Sequence, residues 1–76
     1  MKSWNPCKRR DFIRKLKAHG FKGPYSGAKH QFMIYGQQRL SIPSNKEYSI
    51  PQLKMMITEI SLITAEDINP EYWNNL

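Results

Sequence analysis

The length and composition of this chain narrow its possible functions before any motif is considered. Its 76 residues suffice for one small domain, and a domain of this size buries only about 60% of its unfolded surface, so no deep enclosed pocket is expected. An activity would lie on an open surface, which suits a polymer better than a small molecule. The single cysteine excludes an internal disulfide framework and has no metal-spaced partners. We therefore expect no metal and no small-molecule cofactor.

The charge is distributed unevenly along the chain. The formal net charge is +6, but residues 1–46 hold eleven Lys and Arg side chains against one Asp, whereas residues 47–76 hold one Lys against five acids. Such a basic surface binds a phosphate backbone by counterion release with little regard to base sequence, so nucleic acid is the favoured partner. No stretch approaches the roughly 18 apolar residues of a membrane span, and residues 1–6 lack a signal-peptide core. We expect a cytoplasmic protein without membrane contact.

The first predicted element is a helix over residues 7–19, with Asn5 as its cap and Gly20 as its end. Its apolar residues share one side: Phe12, Ile13 and Leu16. Its basic residues fall mostly on the other: Arg10, Arg14, Lys15 and Lys17. Phe21, directly after the glycine, is expected to fold back onto the apolar side.

Three strand-like segments follow, over residues 21–25, 29–35 and 39–43. Gly36 begins a turn between the last two, which predicts a hairpin. In the third segment Leu40 and Ile42 face the core. The second segment carries apolar residues on both faces, so its core face stays open. Together the segments predict a three-stranded antiparallel sheet.

A second helix is marked by a capping box, in which Gln52 stands three residues after Ser49, and by Tyr48 as part of a hydrophobic staple. Apolar residues then recur at helical spacing: Leu53, Met56, Ile57 and Ile60. Met55 and Leu62 lie on the opposite side and need a cover, either the aromatic end of the chain or a second protein.

The end of the chain predicts a short third helix near residues 70–75, with Asn69 as cap and Pro70 in its first turn. The aromatic residues of this segment are Tyr72 and Trp73. The predicted order is α-β-β-β-α with a helical tail, an α+β fold.

A Gly-x-x-His sequence, Gly27-Ala28-Lys29-His30, directly precedes the second strand segment. Imidazole is the best acid or base near neutral pH, and a neighbouring cation would stabilise charge on a phosphate. Judged on residue type alone, a lone histidine is more often structural. His19, near the end of the first helix, has such an explanation, because a donor there complements free carbonyl groups. We favour a structural role for His19.

The order α-β-β-β-α is that of the double-stranded-RNA-binding domain. The sequence carries a closer resemblance in three places: the helix ending in His19-Gly20-Phe21, the Gly27-x-x-His30 motif at the start of a strand, and the strand ending in Ile42-Pro43. With the capped second helix, these features resemble the HicA toxins, also called YcfA-like mRNA interferases, over about residues 7–63.

That resemblance implies the toxin of a type II toxin-antitoxin system, a stress-response endoribonuclease that cleaves mRNA without a metal ion and is silenced by a HicB-type antitoxin protein. It places the catalytic histidine at His30 and the motif backbone at Gly27, with Lys29 available for phosphate. Family members often have Gly-Ser where this chain has Gly27-Ala28. Further phosphate contacts are expected from the basic half: Arg9, Arg10, Arg14, Lys17 and Lys22. The predicted domain is 1–63, and the tail 64–76 would pack on it or on a partner.

Two alternatives stay open: a non-catalytic RNA-binding module of the same fold, and a basic module that binds an acidic protein. Three tyrosines could stack on unpaired bases, although aromatic residues at strand spacing more often belong to the core or sheet surface: Tyr25, Tyr35 and Tyr48. Asp11 is the only acid in the first half, so a metal-dependent nuclease would be difficult to build.

Overall fold

The computed structural model describes residues 3–76 and places them in three helices and two small antiparallel sheets. The elements are β1 (Cys7–Lys8), α1 (Arg9–His19), β2 (Lys22–Tyr25), β3 (Gln31–Tyr35), β4 (Gln38–Ile42), β5 (Glu47–Tyr48), α2 (Ile50–Thr64) and α3 (Pro70–Asn74). Strands β2, β3 and β4 form the larger sheet in that order, with antiparallel neighbours. The predicted three-stranded sheet and α+β class are confirmed. In the described part of the chain, no helix combines the length and apolar character that crossing a membrane requires.

The first helix begins later than predicted. Residues 7–8 form β1, which pairs with β5, and the helix starts at Arg9. Asn5 is not its cap: Lys8 occupies that position without a side-chain hydrogen bond, and the Arg9 N–H donates to the carbonyl oxygen of Lys46 at 2.8 Å. The prediction was wrong here because the partner strand lies about forty residues further along the chain, beyond the reach of local sequence signals.

The end of α1 follows the prediction. Gly20 adopts φ +117°, a left-handed conformation that glycine reaches without strain. The next N–H, that of Phe21, donates to the carbonyl oxygen of Leu16 at 2.9 Å, and the Phe21 ring is buried. The chain therefore folds back onto the helix as the sequence indicated.

The hairpin of β3 and β4 is confirmed, with Tyr35 opposite Gln38 and Gly36 at φ +62° in the two-residue turn. Strand β3 begins at Gln31, not at residue 29 as predicted, so His30 lies in a bend just before it.

The two faces of the larger sheet differ sharply. The side chains of Met33, Leu40 and Ile42 are at most 1% exposed and belong to the core, which settles the core face of β3 and confirms that of β4. The side chains that alternate to the opposite side form what we call the outer face: Lys22, Tyr25, Phe32, Ile34, Arg39 and Ser41.

Helix α2 is confirmed together with its cap. The Ser49 hydroxyl accepts a hydrogen bond from the Gln52 N–H at 3.3 Å. The Gln52 side chain pairs with Asn45 instead of returning to Ser49, so only half of the capping box forms. The predicted core stripe is buried throughout: Leu53, Met56, Ile57 and Ile60.

The predicted third helix forms over Pro70–Asn74, with the Asn69 side chain accepting from the Tyr72 N–H at 2.8 Å. Trp73 is 2% exposed and its ring centre lies 5.3 Å from that of Phe12. The tail therefore packs on the rest of the domain and shares its core.

The tail does not cover the exposed apolar residues of α2. Met55 remains 67% exposed and Leu62 78% exposed. The first of the two covers considered for them is therefore excluded, since the aromatic residues of the tail contact α1 instead: Trp73 packs on Phe12 and Tyr72 pairs with His19.

Candidate functional site

The bend before β3 depends on a glycine with no side chain. A Cβ atom at position 27 would collide with the carbonyl oxygen of His30 and would lie 3.3 Å from the ring of Phe32. The backbone can approach this closely only because Gly27 lacks a Cβ. This glycine therefore fixes the path of the chain that presents His30.

A depression of about 370 Å³ opens at this bend. It is lined by Gly27, Ala28, Lys29, His30, Phe32, Arg39 and Ser41. The bend thus contributes three predicted site residues, Gly27, Lys29 and His30, together with Ala28. Strands β3 and β4 supply the other lining residues. We call this the His30 depression.

Sequence reasoning did not select Arg39 and Ser41 as site residues. The signal was present in the hairpin: a two-residue turn after Tyr35 sets Ser41 opposite Phe32 and Arg39 opposite Ile34. The Arg39 guanidinium carbon lies 4.5 Å above the centre of the Phe32 ring. The depression therefore holds a second cation beside Lys29.

The imidazole of His30 is exposed. Among residues 3–76 it has no hydrogen-bond partner that would fix its orientation. A phosphate entering between Lys29 and Arg39 would itself provide the partner, as happens where contacts tighten only when substrate binds.

Two other predicted phosphate ligands, Arg9 and Arg10, lie at a separate cleft of about 420 Å³. Its lining residues are Lys8, Arg9, Arg10, Lys46 and Glu47. We call this the basic cleft. The Arg9 side chain is already engaged, because its Nε donates to the carbonyl oxygen of Pro43 at 3.1 Å and a terminal nitrogen donates to the Gln31 side chain. Arg10 is exposed. Arg9 thus connects the basic cleft to the start of β3, but the cleft shares no lining residue with the His30 depression.

The remaining predicted phosphate ligands are dispersed. Arg14 lies 3.9 Å from Asp11 and donates to the backbone oxygen of Leu76 at 3.4 Å. Lys17 is exposed on α1 and does not line the depression. Lys22 is exposed on the outer face of the sheet, in the same row as Arg39. Only Lys22 among these three shares a surface with the His30 depression.

His19 is part of a buried polar contact with the tail. Its side chain is 7% exposed, its Nδ1 pairs with the hydroxyl of Tyr72, and its Nε2 lies 2.8 Å from a Glu66 carboxylate oxygen without the alignment of a hydrogen bond. The imidazole also stacks with the rings of Phe21 and Tyr35. Its surroundings agree with a structural role, but its partners lie in the tail and not at the helix carbonyls.

The three tyrosines considered for base stacking have different surroundings. Tyr48 is fully buried and its hydroxyl donates to the carbonyl oxygen of Pro43 at 2.7 Å, while Tyr35 packs against the core. Burial raises the pKa of the Tyr48 phenol and also that of the Cys7 thiol. Tyr25 alone of the three is well exposed, at 44%, on the outer face.

Within residues 3–76, no three His, Cys, Asp or Glu side chains come close enough together to hold a metal ion. The chain matches no protein-family model, and no curated protein or solved structure is significantly similar to it.

Proposed function

We propose that this chain is a metal-independent endoribonuclease that cleaves mRNA, with His30 as its general acid or base. The observation that carries the proposal is the His30 depression, where an exposed imidazole, Lys29 and Arg39 meet on an open surface. Residues 12–46 contain no Asp or Glu, so no carboxylate from this part of the chain repels a polyanion. The resemblance to the HicA toxins supports the same histidine.

The proposed reaction needs no redox change and no co-reactant. The 2′-hydroxyl of RNA attacks the adjacent phosphorus, so the bond from the 2′-oxygen to phosphorus forms while the bond from phosphorus to the 5′-oxygen breaks. One group takes the 2′ proton and another gives a proton to the leaving 5′-oxygen; a positioned group of this kind contributes about 10² to 10⁴ in rate. His30 would perform one of these transfers. Lys29 and Arg39 would stabilise the charge that develops on the phosphate.

The order of elements supports a fold like that of the double-stranded-RNA-binding domain, with the basic cleft holding RNA backbone at Lys8, Arg10 and Lys46. The protein would be the toxin of a cytoplasmic type II pair, and a HicB-type antitoxin protein would silence it by covering His30.

One observation favours a second candidate, an RNA-binding module without catalysis. No described residue orients the His30 imidazole, whereas a catalytic imidazole is usually held by a second group. Such a module would bind RNA through the same cations and leave it intact.

The test compares the parent chain with His30→Ala and with the control Gln37→Ala, an exposed position in the hairpin turn. RNA cleavage is measured in excess chelator, and the ends of the products are identified. We expect 2′,3′-cyclic phosphate and 5′-hydroxyl ends from the parent and the control, and none from His30→Ala, with RNA binding unchanged. Continued cleavage by His30→Ala would overturn the assignment of His30.

Two other results would identify the rival functions. RNA binding without cleavage by the parent chain would leave the non-catalytic module. RNA affinity that barely changes between low and high salt would instead support a module for an acidic protein.

A further inference from the structure

We infer that the outer face of the sheet beside His30 contains a subsite for an unpaired nucleobase, formed by Tyr25, Phe32 and Arg39. The inference rests on the proposed function for the identity of the ligand as RNA. The subsite would recognise one part of the RNA, an unpaired base held next to the reacting phosphate.

The two aromatic rings have no structural explanation in the core. The hydrophobic core and the side chains packed against it include Phe12, Phe21 and Tyr35 but neither Tyr25 nor Phe32. These two residues face each other across β2 and β3 with their ring centres 5.7 Å apart and their planes tilted by 38°. The Tyr25 ring is exposed and the Phe32 ring is partly exposed. An aromatic pair on a sheet surface is the usual platform for stacking bases, since every base has a π face.

Arg39 extends this platform. Its guanidinium lies over the Phe32 ring at 4.5 Å, well within the roughly 6 Å of a cation–π contact. It makes no ion pair with any described residue. A planar guanidinium held in this way can stack under a base with one face while its edge reaches a phosphate. Ser41, exposed and opposite Phe32, places a hydroxyl beside the same ring.

The charge of this face fits a nucleic acid. Residues 22–42, which include the whole larger sheet and the bend, contain three cations and no Asp or Glu: Lys22, Lys29 and Arg39. An acidic protein would satisfy the charge, but it would not explain why an exposed and a partly exposed aromatic ring lie among the cations.

The size of the site favours a single strand. At about 370 Å³ the His30 depression is near the lower end of the roughly 300–1,000 Å³ of small-molecule pockets, which suits about one nucleotide. In a duplex both faces of a base are covered by its neighbours, so only an unpaired base can stack on Tyr25 or on the Arg39 guanidinium above Phe32. The subsite therefore assigns single-stranded RNA to the surface that carries His30.

The test measures binding alone, in the full-length His30→Ala chain, so that cleavage plays no part. The probes are a fluorescent single-stranded RNA of mixed sequence and the same strand annealed to its complement. Tyr25→Leu and Phe32→Leu keep the apolar bulk and remove the π face. Ile34→Leu, on the same face but without a ring, is the matched control, and thermal unfolding of each variant verifies the fold.

We expect each aromatic substitution to weaken single-strand binding about five-fold or more, as loss of one stacked base does, while duplex binding and the control stay unchanged. Arg39→Gln should weaken binding and lower the slope of log affinity against log salt by about one. Unchanged single-strand affinity in both aromatic variants, or equal loss for both probes, would overturn the subsite. Binding of poly-glutamate as tight as that of RNA and insensitive to Tyr25→Leu would assign the face to acidic proteins and overturn it too.

These results are separate from those for catalysis. If the parent chain does not cleave RNA but the aromatic variants lose single-strand binding, the chain is a non-catalytic module that still has the subsite. If cleavage depends on His30 but the aromatic variants bind normally, the nuclease stands and the subsite does not.

Discussion

The side-chain amino group of Lys15 donates a hydrogen bond to the carbonyl oxygen of Trp73 at 2.8 Å and lies 5.6 Å from the centre of the indole ring of the same residue. Helix α1 and the tail are thus joined by a polar and an aromatic contact at one residue. Because Trp73 is also 2% exposed, the tail is a structural part of the domain.

Replacing Trp73 by alanine should therefore destabilise the whole fold by about 3 to 5 kcal/mol, the usual cost of removing a buried aromatic side chain. The measurement is urea unfolding followed by circular dichroism. Leu62→Ala, at a position 78% exposed, is the control and should change stability by less than about 0.5 kcal/mol. Similar values for the two variants would mean that the tail is only loosely attached.

Gly27→Ala should abolish RNA cleavage with a small effect on stability, because the added Cβ collides with the carbonyl of His30 in an exposed bend. Gly36→Ala is the control, with the reverse expectation. A Cβ at position 36 meets nothing within 4 Å, but alanine is forced into φ +62°. This variant should lower the free energy of unfolding by about 1 to 2 kcal/mol and leave cleavage intact. Cleavage at the parent rate by Gly27→Ala would contradict the close approach at this bend.

Tyr48→Phe should lower the free energy of unfolding by about 1 kcal/mol at neutral pH, since one buried hydrogen bond to Pro43 is lost. The carbonyl of Pro43 keeps the donor from Arg9, which limits the cost.

The same variant gives a pH test. Burial raises the pKa of the Tyr48 phenol, an effect that the nearby Arg9 guanidinium partly offsets, so the folded chain keeps this proton to a higher pH than the unfolded chain. The contribution of Tyr48 to stability is therefore complete below about pH 10, where the unfolded phenol ionises, and is lost as the pH rises through the folded pKa. Urea unfolding between pH 7 and 11 should show a steeper alkaline loss in the parent than in Tyr48→Phe; parallel curves would contradict the burial of this phenol.

Cys7 should resist alkylation in the folded protein. Burial raises the pKa of its thiol, partly offset by Lys15, so less thiolate is present at pH 8 than in the unfolded chain. Mass spectrometry after iodoacetamide treatment should find slow labelling of the native chain and rapid labelling in denaturant. Equal rates would mean that β1 separates readily from β5.

Arg10→Gln should weaken RNA binding and lower the salt slope by about one, because its guanidinium is exposed at the basic cleft. Lys54→Gln, which removes the only cation of residues 47–76, is matched in charge and should leave the slope unchanged. A similar change in both variants would indicate that net charge alone governs binding.

The parts of the fold that sequence predicted well depend on neighbouring residues. The Ser49 cap, the Gly20 stop and the turn at Gly36 are all set within a few positions, and each appears where expected. What sequence missed depends on distant partners. The strand at Cys7 requires β5, and the contacts of His19 require a tail about fifty residues away.

The candidate site divides in the same way. The motif residues Gly27, Lys29 and His30 lie within four positions of each other, so the sequence alone reveals them. Arg39 reaches the site only because of the register of the β3–β4 hairpin. The charge of Arg14 is visible in the sequence, but its contact with Leu76 is not.

The cations of α1 fall into two groups with different tolerance to substitution. Three of the five donate to backbone carbonyl oxygens elsewhere in the fold: Arg9, Arg14 and Lys15. A substitution that removes the donor at one of these positions should lower the free energy of unfolding by about 0.5 to 1.5 kcal/mol. Arg10 and Lys17 make no such contact with any of residues 3–76, so a neutral or even acidic residue there should leave the fold intact. A saturation mutagenesis screen for folding, with no ligand present, would therefore distinguish these two groups of positions on α1.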